Sequence, residues 1–517
     1  MQSMYDSYKT LRNSLRKINV YSALLAMWAY SAHIEYGKTL PPSLILPRPF
    51  NDLRGRVFLW QIHLMSREII LNCSIAGGED FTARSMSQTL NHINAIGEQI
   101  SRARYDDKGD ADRVLRDLMA LIHQQAPYSS TLDVSRILRY TRIFGDAAVG
   151  PILEKKLGLN IVECHFLILH VISTLQRTPW VSSSQKLDEF GIGIDRSKVF
   201  FNWLSRSLAD TRASLSQNQA YDANWAYTWN ALEERPLIFL NDSKRSEMLC
   251  PSPALLWQKI GAGLFFELVK EADFGNLYGS AFEEHVGEFA QRTLPPVRFA
   301  VQGETEYWIG KNRKAGLDWL IKDDTANIFI ECKTKRLRQG AKLVDASSLL
   351  NKDLEVLATA IVQGYKNIDD VIRQRTAWLP SANPSFLAVT TLEDWLLFSP
   401  QIKMDLHVLV EDIFAREVLD RDLLNRIPYV VISCHEFERM IIAIKSAGIF
   451  AVLDGKNSPE FKDWQMNEFL QKNYKEEISR GFGEAYSANW RDLMTKLSRN
   501  WREDIRLKME SAVDNLP

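Results

Sequence analysis

The sequence predicts a mixed α/β domain, a sheet flanked by helices, preceded by a large and mostly α-helical N-terminal region. Three observations predict it. Through residues 1 to 250, apolar residues recur at three- and four-residue spacing, as in "RVLRDLMALIHQQ" and "HFLILHVISTLQR". After "CPSP" at 250–253 short extended runs join the helical ones. The order from there is helix, three strands, helix, strand, helix, strand, which suits a mixed sheet with helical crossovers.

The elements follow in chain order. In the N-terminal half "LPPSLILPRP", "AGGED" and "YDDKGDAD" read as loops between helices. "INVYSALLAMWAYSAHI", residues 18–34, has the length of a short membrane element. It is interrupted by Ser22 and Ser31 and lacks a small-residue cleavage site, so it reads as a buried helix. "ALLWQKIGAGLFFELVKEA" and "NLYGSAFEEHVGEFAQRTL" are helical and stop at Pro295 and Pro296. The extended runs "VRFAVQG" and "TEYWIG" come next. A hairpin follows, "LDWLI" and "IFIECK" about "KDDTAN", whose Asp323, Asp324 and Asn327 favour a turn. A helix from about 342 to 378, two strands ("SFLAVTT", "YVVISCHEF") and an amphipathic helical tail complete the chain. The expected division is 1–250, a helical region; 251–458, the α/β domain; and 459–517, the tail.

Composition narrows the function classes. With 517 residues, 46% hydrophobic and 25% charged, the chain has enough apolar mass for large cores. A net charge of -1 excludes a polycation, so any affinity for nucleic acid must be local. The five cysteines stand far apart with no CxxC pair, which argues against a disulfide framework or a cysteine zinc site and fits a reducing cytoplasm. Three near-motifs fall away. "GKT" at 37–39 has Ala32 where a phosphate loop needs its first glycine; His165 and His170 do not share a helical face; Glu154 and Lys156 sit in "PILEKKLGL", a solvated helix face.

The hairpin carries the chemistry. Strand alternation sends Glu331 and Lys333 to one face and Cys332 to the other. Asp318 joins them if it pairs with 331 or 333, a register the sequence does not fix. Converging carboxylates seat a hard divalent cation, which can polarise a phosphodiester and acidify bound water. A lysine held charged beside them can steady the reacting phosphate. The pattern Asp/Glu-x-Lys alone means little, since it occurs five times: Asp106/Lys108, Glu154/Lys156, Asp242/Lys244, Glu331/Lys333 and Asp454/Lys456. Only the fourth ends a β-type run facing an aspartate. From Lys311 to Lys342 nine basic residues stand against four acidic ones, an excess that suits a polyphosphate backbone. Lys311, Arg313, Lys314, Lys335, Arg336 and Arg338 are the candidate nucleic-acid contacts. The plainer reading is an edge hairpin with solvated charges.

At these residues the chain resembles the PD-(D/E)xK, or restriction-endonuclease-like, nuclease superfamily, over about residues 277–436. In that family a helix before the sheet often supplies a glutamate. "YGSAFEEHV" offers Glu283, with Glu284 second. Asp318 matches the motif aspartate, Glu331 and Lys333 the Glu-x-Lys pair, and Gln363 in "AIVQGYKN" the glutamine of the following helix. Leu317 stands where the family name has proline. The resemblance implies a restriction-endonuclease-like fold, with Asp318, Glu331 and Glu283 holding Mg²⁺ or Mn²⁺ and Lys333 and Gln363 completing the catalytic set. It implies phosphodiester hydrolysis, DNA as the first substrate expected, endonuclease before exonuclease, and a setting such as prokaryotic restriction or anti-phage defence. The alternative is the same fold with its chemistry lost, a nucleic-acid-binding or scaffold subunit. The N-terminal region would then contact a protein partner or the substrate, with no membrane involved.

Overall fold

The computed structural model describes residues 4–47, 52–105, 111–125, 133–185, 187–240, 247–342, 347–499 and 503. Asp106, Lys108, Asp242 and Lys244, most of the loop expected at 105–112, residues 343–346 of the helix expected from 342, and most of the tail after 499 lie outside them.

The N-terminal half is helical as expected, and its helices end where local chemistry ends them. Asn19 caps the helix Val20–Tyr36 by accepting the Tyr21 and Ser22 N–H groups, and Gly37 closes it with φ 67°, a left-handed conformation glycine adopts without cost. "GKT" is therefore a helix end, and Lys38 donates to the Arg177 carbonyl at 2.6 Å. The segment expected at 18–34 as a buried helix is helical from Val20 on, with Leu24, Met27 and Tyr30 inside. No single helix among the described residues is long and apolar enough to cross a membrane. The bent pair Gly150–Leu157 and Ile161–Leu175 meets that test only jointly, across a 52° bend, and buries Leu153, Leu167 and Val171 in the core.

One feature of this half departs from the helical expectation. β1 (Trp180–Ser182), β2 (Ser205–Ser207), β3 (Leu237–Phe239) and β4 (Glu247–Leu249) form a small sheet in the order β1-β4-β3-β2. Each is three residues long, too short to show a strand period.

Seven strands follow: β5 (Ala300–Gly303), β6 (Tyr307–Ile309), β7 (Asn312–Lys314), β8 (Trp319–Lys322), β9 (Asn327–Lys333), β10 (Ser385–Thr391) and β11 (Tyr429–Ser433). Five build the central sheet in the order β11-β10-β9-β8-β5. It is antiparallel from β5 through β8 to β9 and parallel from β9 through β10 to β11. β6 and β7 pair only with each other, so "TEYWIG" leaves the sheet rather than extending it.

Alternation along β9 sorts two cores. Ile328, Ile330 and Cys332 join Phe282, Val286 and Phe437 of the helices Phe274–Thr293 and Cys434–Ala447. Phe329 faces the other way, with Leu320, Leu387 and Val389, against Leu357, Ile361, Ile402 and Leu406 of the helices Ser347–Ile372 and Pro400–Arg416. The result is a helix–sheet–helix sandwich. The turn after β8 is closed by Asp323, which accepts from the Thr325 and Ala326 N–H groups at 2.8 and 2.9 Å and from Ile449 N at 3.0 Å.

The apolar core does not stop near residue 250. Ile143 and Leu167 from the N-terminal half share one core with Phe282, Ile330, Phe437 and Tyr486 of the tail helix Lys475–Ser498. Arg142, on the helix Val134–Phe144, adds ion pairs of 2.9 Å to Glu284 and 2.8 Å to Glu288. The five cysteines are buried and unpaired.

Candidate active site

The register of the central hairpin answers what sequence left open. β8 and β9 pair Trp319 with Ile330 and Leu320 with Phe329, so the next position of the same register sets Asp318 opposite Glu331. On the other side β5 pairs Gly303 with Trp319, and the next position sets Glu304 opposite Asp318. That register brings three carboxylates, Glu304, Asp318 and Glu331, to one end of the sheet, where the charge of Glu331 acts on Asp318 and that of Glu304 on Glu331.

Two of them, Asp318 and Glu331, are fixed by a local cause. β8 starts at Trp319, leaving the Cys332 N–H without a main-chain partner from that strand, and the Asp318 carboxylate accepts it at 2.5 Å. Glu331 is nearly buried, at 4% exposure, and ends β9 with its carboxylate against the Lys333 ammonium, Nζ to Oε1 2.5 Å. Cys332 points into the opposite core as expected, and burial pushes its thiol well above the ordinary range.

Glu283 comes from the helix Phe274–Thr293, which approaches the sheet as closely as sterics allow. A Cβ at Gly287 would lie 1.8 Å from the Trp319 indole, and Gly303 holds the indole from its other side, at 3.2 Å from a Cβ built there. The indole N–H donates to the Glu283 carbonyl at 2.8 Å. Trp319 therefore ties the helix to β8 at the residue whose side chain the site needs.

The electrostatics connect these groups. Burial raises the Asp318 pKa well above the aspartate range, and the charges of Glu331 and then Glu283 raise it further, against the Cys332 N–H and Lys333. Glu331 is raised by burial, with Lys333 opposing. Glu283 is raised by burial, with Lys333 opposing and Glu304 and Glu331 adding to it. Burial works against the charge on Lys333, but Glu331 and then Asp318 outweigh it, so its pKa is raised. Glu304 too is raised, by burial and then by Glu306. One cation, Lys333, thus acts on three carboxylates, Asp318, Glu331 and Glu283, and Glu304 adds a further oxygen donor near them.

The remaining expected residues divide. Gln363 is exposed on the helix Ser347–Ile372 and makes no side-chain hydrogen bond among the described residues; it is not drawn to the carboxylates. Lys311, Arg313 and Lys314 lie exposed on the β6–β7 hairpin. Arg313 pairs with Glu306, and Lys314 meets Asp370 at 3.3 Å.

Three cations counted as backbone contacts have carboxylate partners within the fold, and one of them is enclosed. Lys335 and Arg338 share the buried Asp353, at 3.5 and 2.9 Å. Arg336 is a correction: its guanidinium stacks on Phe265 at 4.4 Å and donates to the Ala262 carbonyl at 2.9 Å and the Tyr278 hydroxyl at 3.2 Å. It also faces Glu393 at 3.5 Å, with only 12% of its side chain exposed. A guanidinium so enclosed braces the end of β9 and presents little surface to a substrate. Sequence showed its charge but not Asp353 or Glu393, the carboxylates that absorb this part of the basic excess. Glu304 was missed for the opposite reason, because it lies one residue past an apolar run whose register only the fold defines.

One trio of ligand-type side chains among the described residues brings its atoms within 4.8 Å of one another: His285, Cys434 and Glu438. It lies in the core on the opposite side of the Phe274–Thr293 helix from Glu283, and protein groups fill it. Glu438 takes Arg139 at 3.0 and 2.6 Å, His285 at 3.0 Å and Tyr486 at 2.6 Å. With a guanidinium on both carboxylate oxygens, this trio is a buried structural network. Neither a protein-family model, nor a curated protein, nor a solved structure matches the chain.

Proposed function

We propose that the protein is a metal-dependent nuclease with a restriction-endonuclease-like core that hydrolyses phosphodiester bonds in DNA. One juxtaposition carries the reading: Asp318 follows in register opposite Glu331 where β8 and β9 end, with Lys333 against Glu331 at 2.5 Å. The helix before the sheet, the antiparallel β5–β8–β9 and the parallel β10 beyond a helical crossover support the same fold.

The residues fit a hard divalent cation. Asp318, Glu331 and Glu283 have raised pKa values with one lysine among them, a site short of positive charge and made wholly of oxygen donors. Those three would hold Mg²⁺ or Mn²⁺, and Glu304 adds a fourth donor at the edge. The bound ion supplies Lewis-acid polarisation of the phosphodiester and a more acidic water. Lys333, kept charged by Glu331, stabilises the negative charge that gathers on the phosphate during in-line attack. The Cys332 N–H fixes the Asp318 carboxylate, and Trp319 fixes the helix that carries Glu283, so the donors need no reorganisation. Gln363, exposed and unengaged, is available to substrate.

A silent scaffold has no need of a half-buried lysine set on a buried glutamate, which favours the enzyme. The deciding experiment incubates the full chain with plasmid, linear DNA and RNA, with and without Mg²⁺ or Mn²⁺. Metal-dependent cleavage lost in Lys333→Ala is expected. Failure to cut any substrate with either metal would leave the silent-subunit reading.

A further inference from the structure

The chain leaves the carboxylate row at Glu304, makes the β6–β7 hairpin, and returns at Asp318. This hairpin is fastened on one side only. Tyr307 is buried and its hydroxyl donates to Asp370 at 2.7 Å and Asn367 at 3.3 Å. Lys314 meets the same Asp370, which Arg375 also holds, at 2.9 Å. On the other side Trp308 is 63% exposed, directly across the ribbon from Arg313. The turn runs through Gly310 in the left-handed region, φ 61°, to the exposed Lys311. Three cations stand here, Lys314 paired with Asp370 and Arg313 with Glu306. The Arg313–Glu306 pair, with 61% and 55% of its side chains exposed, is weak enough to open to a competing anion. Lys335 and Arg338 are paired with the buried Asp353 and Arg336 is enclosed, while Trp308, Lys311 and Arg313 stand exposed together on this hairpin.

We propose that the β6–β7 hairpin is the arm that takes an unpaired nucleic-acid strand to the cleavage site, Trp308 stacking on a base while Lys311 and Arg313 contact the flanking phosphates. The proposal rests on the nuclease reading and names its substrate class. An indole needs a free base face. Inside a duplex both faces of every base are covered by neighbours, whereas an unpaired strand offers one at each base, and a basic surface beside an aromatic platform is how such strands are held. Trp308 stands four residues after Glu304 in the chain, so a strand held on the hairpin runs on towards the carboxylate row.

The test is fluorescence anisotropy with the full chain in EDTA, so that binding is read whether or not the protein cleaves. The probes are a labelled oligothymidylate, the matching oligouridylate and a duplex of the same length. Trp308→Ala is expected to weaken binding to an unpaired strand roughly tenfold and to leave duplex binding within about twofold, while Trp308→Phe keeps most of the affinity. A loss on either unpaired probe supports the proposal and tells which sugar is taken. Lys311→Ala should flatten the slope of log K against log salt by about 0.7 on that strand. An equal loss on duplex, no loss on either unpaired strand, or a phenylalanine variant as weak as the alanine one would overturn it. The two readings fail separately: Trp308-dependent strand binding without metal-dependent cleavage sinks the nuclease alone, and cleavage with strand binding indifferent to Trp308 sinks the arm alone.

Discussion

Asp318→Asn should make the metal-free protein more stable and the metal indifferent to it. The wild-type carboxylate has a raised pKa because it is buried and because Glu331 and Glu283 repel it, with Lys333 and the Cys332 N–H in opposition. At an effective dielectric of about 20, two unit charges about 5 Å apart interact by about 3 kcal/mol. Two such repulsions against one attraction leave a net cost of about 1–3 kcal/mol, which the neutral amide removes. The amide oxygen still accepts the Cys332 N–H, so the fold loses no hydrogen bond. The variant should therefore melt a few degrees higher in EDTA. Magnesium should reverse the ranking: at about 100 times its dissociation constant it stabilises the wild type by about 2.7 kcal/mol and the variant much less. The pH dependence has a definite sign. A carboxyl whose folded pKa is raised stabilises the fold fully below its unfolded value, about 3.9, and loses that contribution as pH rises through the folded value. The metal-free wild type should thus fall relative to Asp318→Asn as pH climbs from 4 towards neutrality. Calorimetry showing the variant less stable in EDTA, or both proteins gaining equally from magnesium, would refute the repulsive carboxylate row.

Other perturbations probe separate parts. Glu304→Gln should weaken Mg²⁺ binding less than Glu331→Gln, measured by titration calorimetry, because Glu304 is the outermost of the four donors. Gly287→Ala drives a methyl into the Trp319 indole. It should cost about 1–3 kcal/mol and lower cleavage by displacing Glu283, read from melting and rate together. Glu438→Gln strips the charge partner from the buried Arg139 and should cost about 3–5 kcal/mol in denaturant unfolding. The Glu438 carboxyl, opposed by burial but held well below the ordinary range by Arg139 and then His285, contributes stability above its unfolded pKa that is lost as pH falls through the folded value. Arg336→Ala should lower stability while leaving the salt slope of DNA binding unchanged, since its guanidinium is enclosed.

The hairpin at the site was legible in sequence because period-two alternation, turn-forming aspartates and an aspartate facing Glu-x-Lys all coincide within residues 316–340. The flanking helices were legible from their apolar spacing. What sequence withheld was register, and with it Glu304. It also hid the partners of surface-looking charges: Arg338 meets Asp353 and Arg336 meets Glu393, 15 and 57 positions further along. The strands of the small N-terminal sheet escaped because three residues cannot display a period. The continuity of the core escaped because a change of texture at residue 250 marks a change of secondary structure, not of packing.

That continuity has a mechanical consequence. Arg142 grips Glu284, the neighbour of Glu283, and Ile143 lies in the core that seats Phe282. A shift of the helix Val134–Phe144 is therefore felt beside Glu283, chiefly through the shared apolar core, since Trp319 already stops the helix Phe274–Thr293 against β8. The N-terminal half is thereby coupled to the carboxylate row, and a fragment beginning at residue 251 would lose both that coupling and a wall of its own core. Such a fragment is expected to bind a hydrophobic dye at room temperature where the full chain does not.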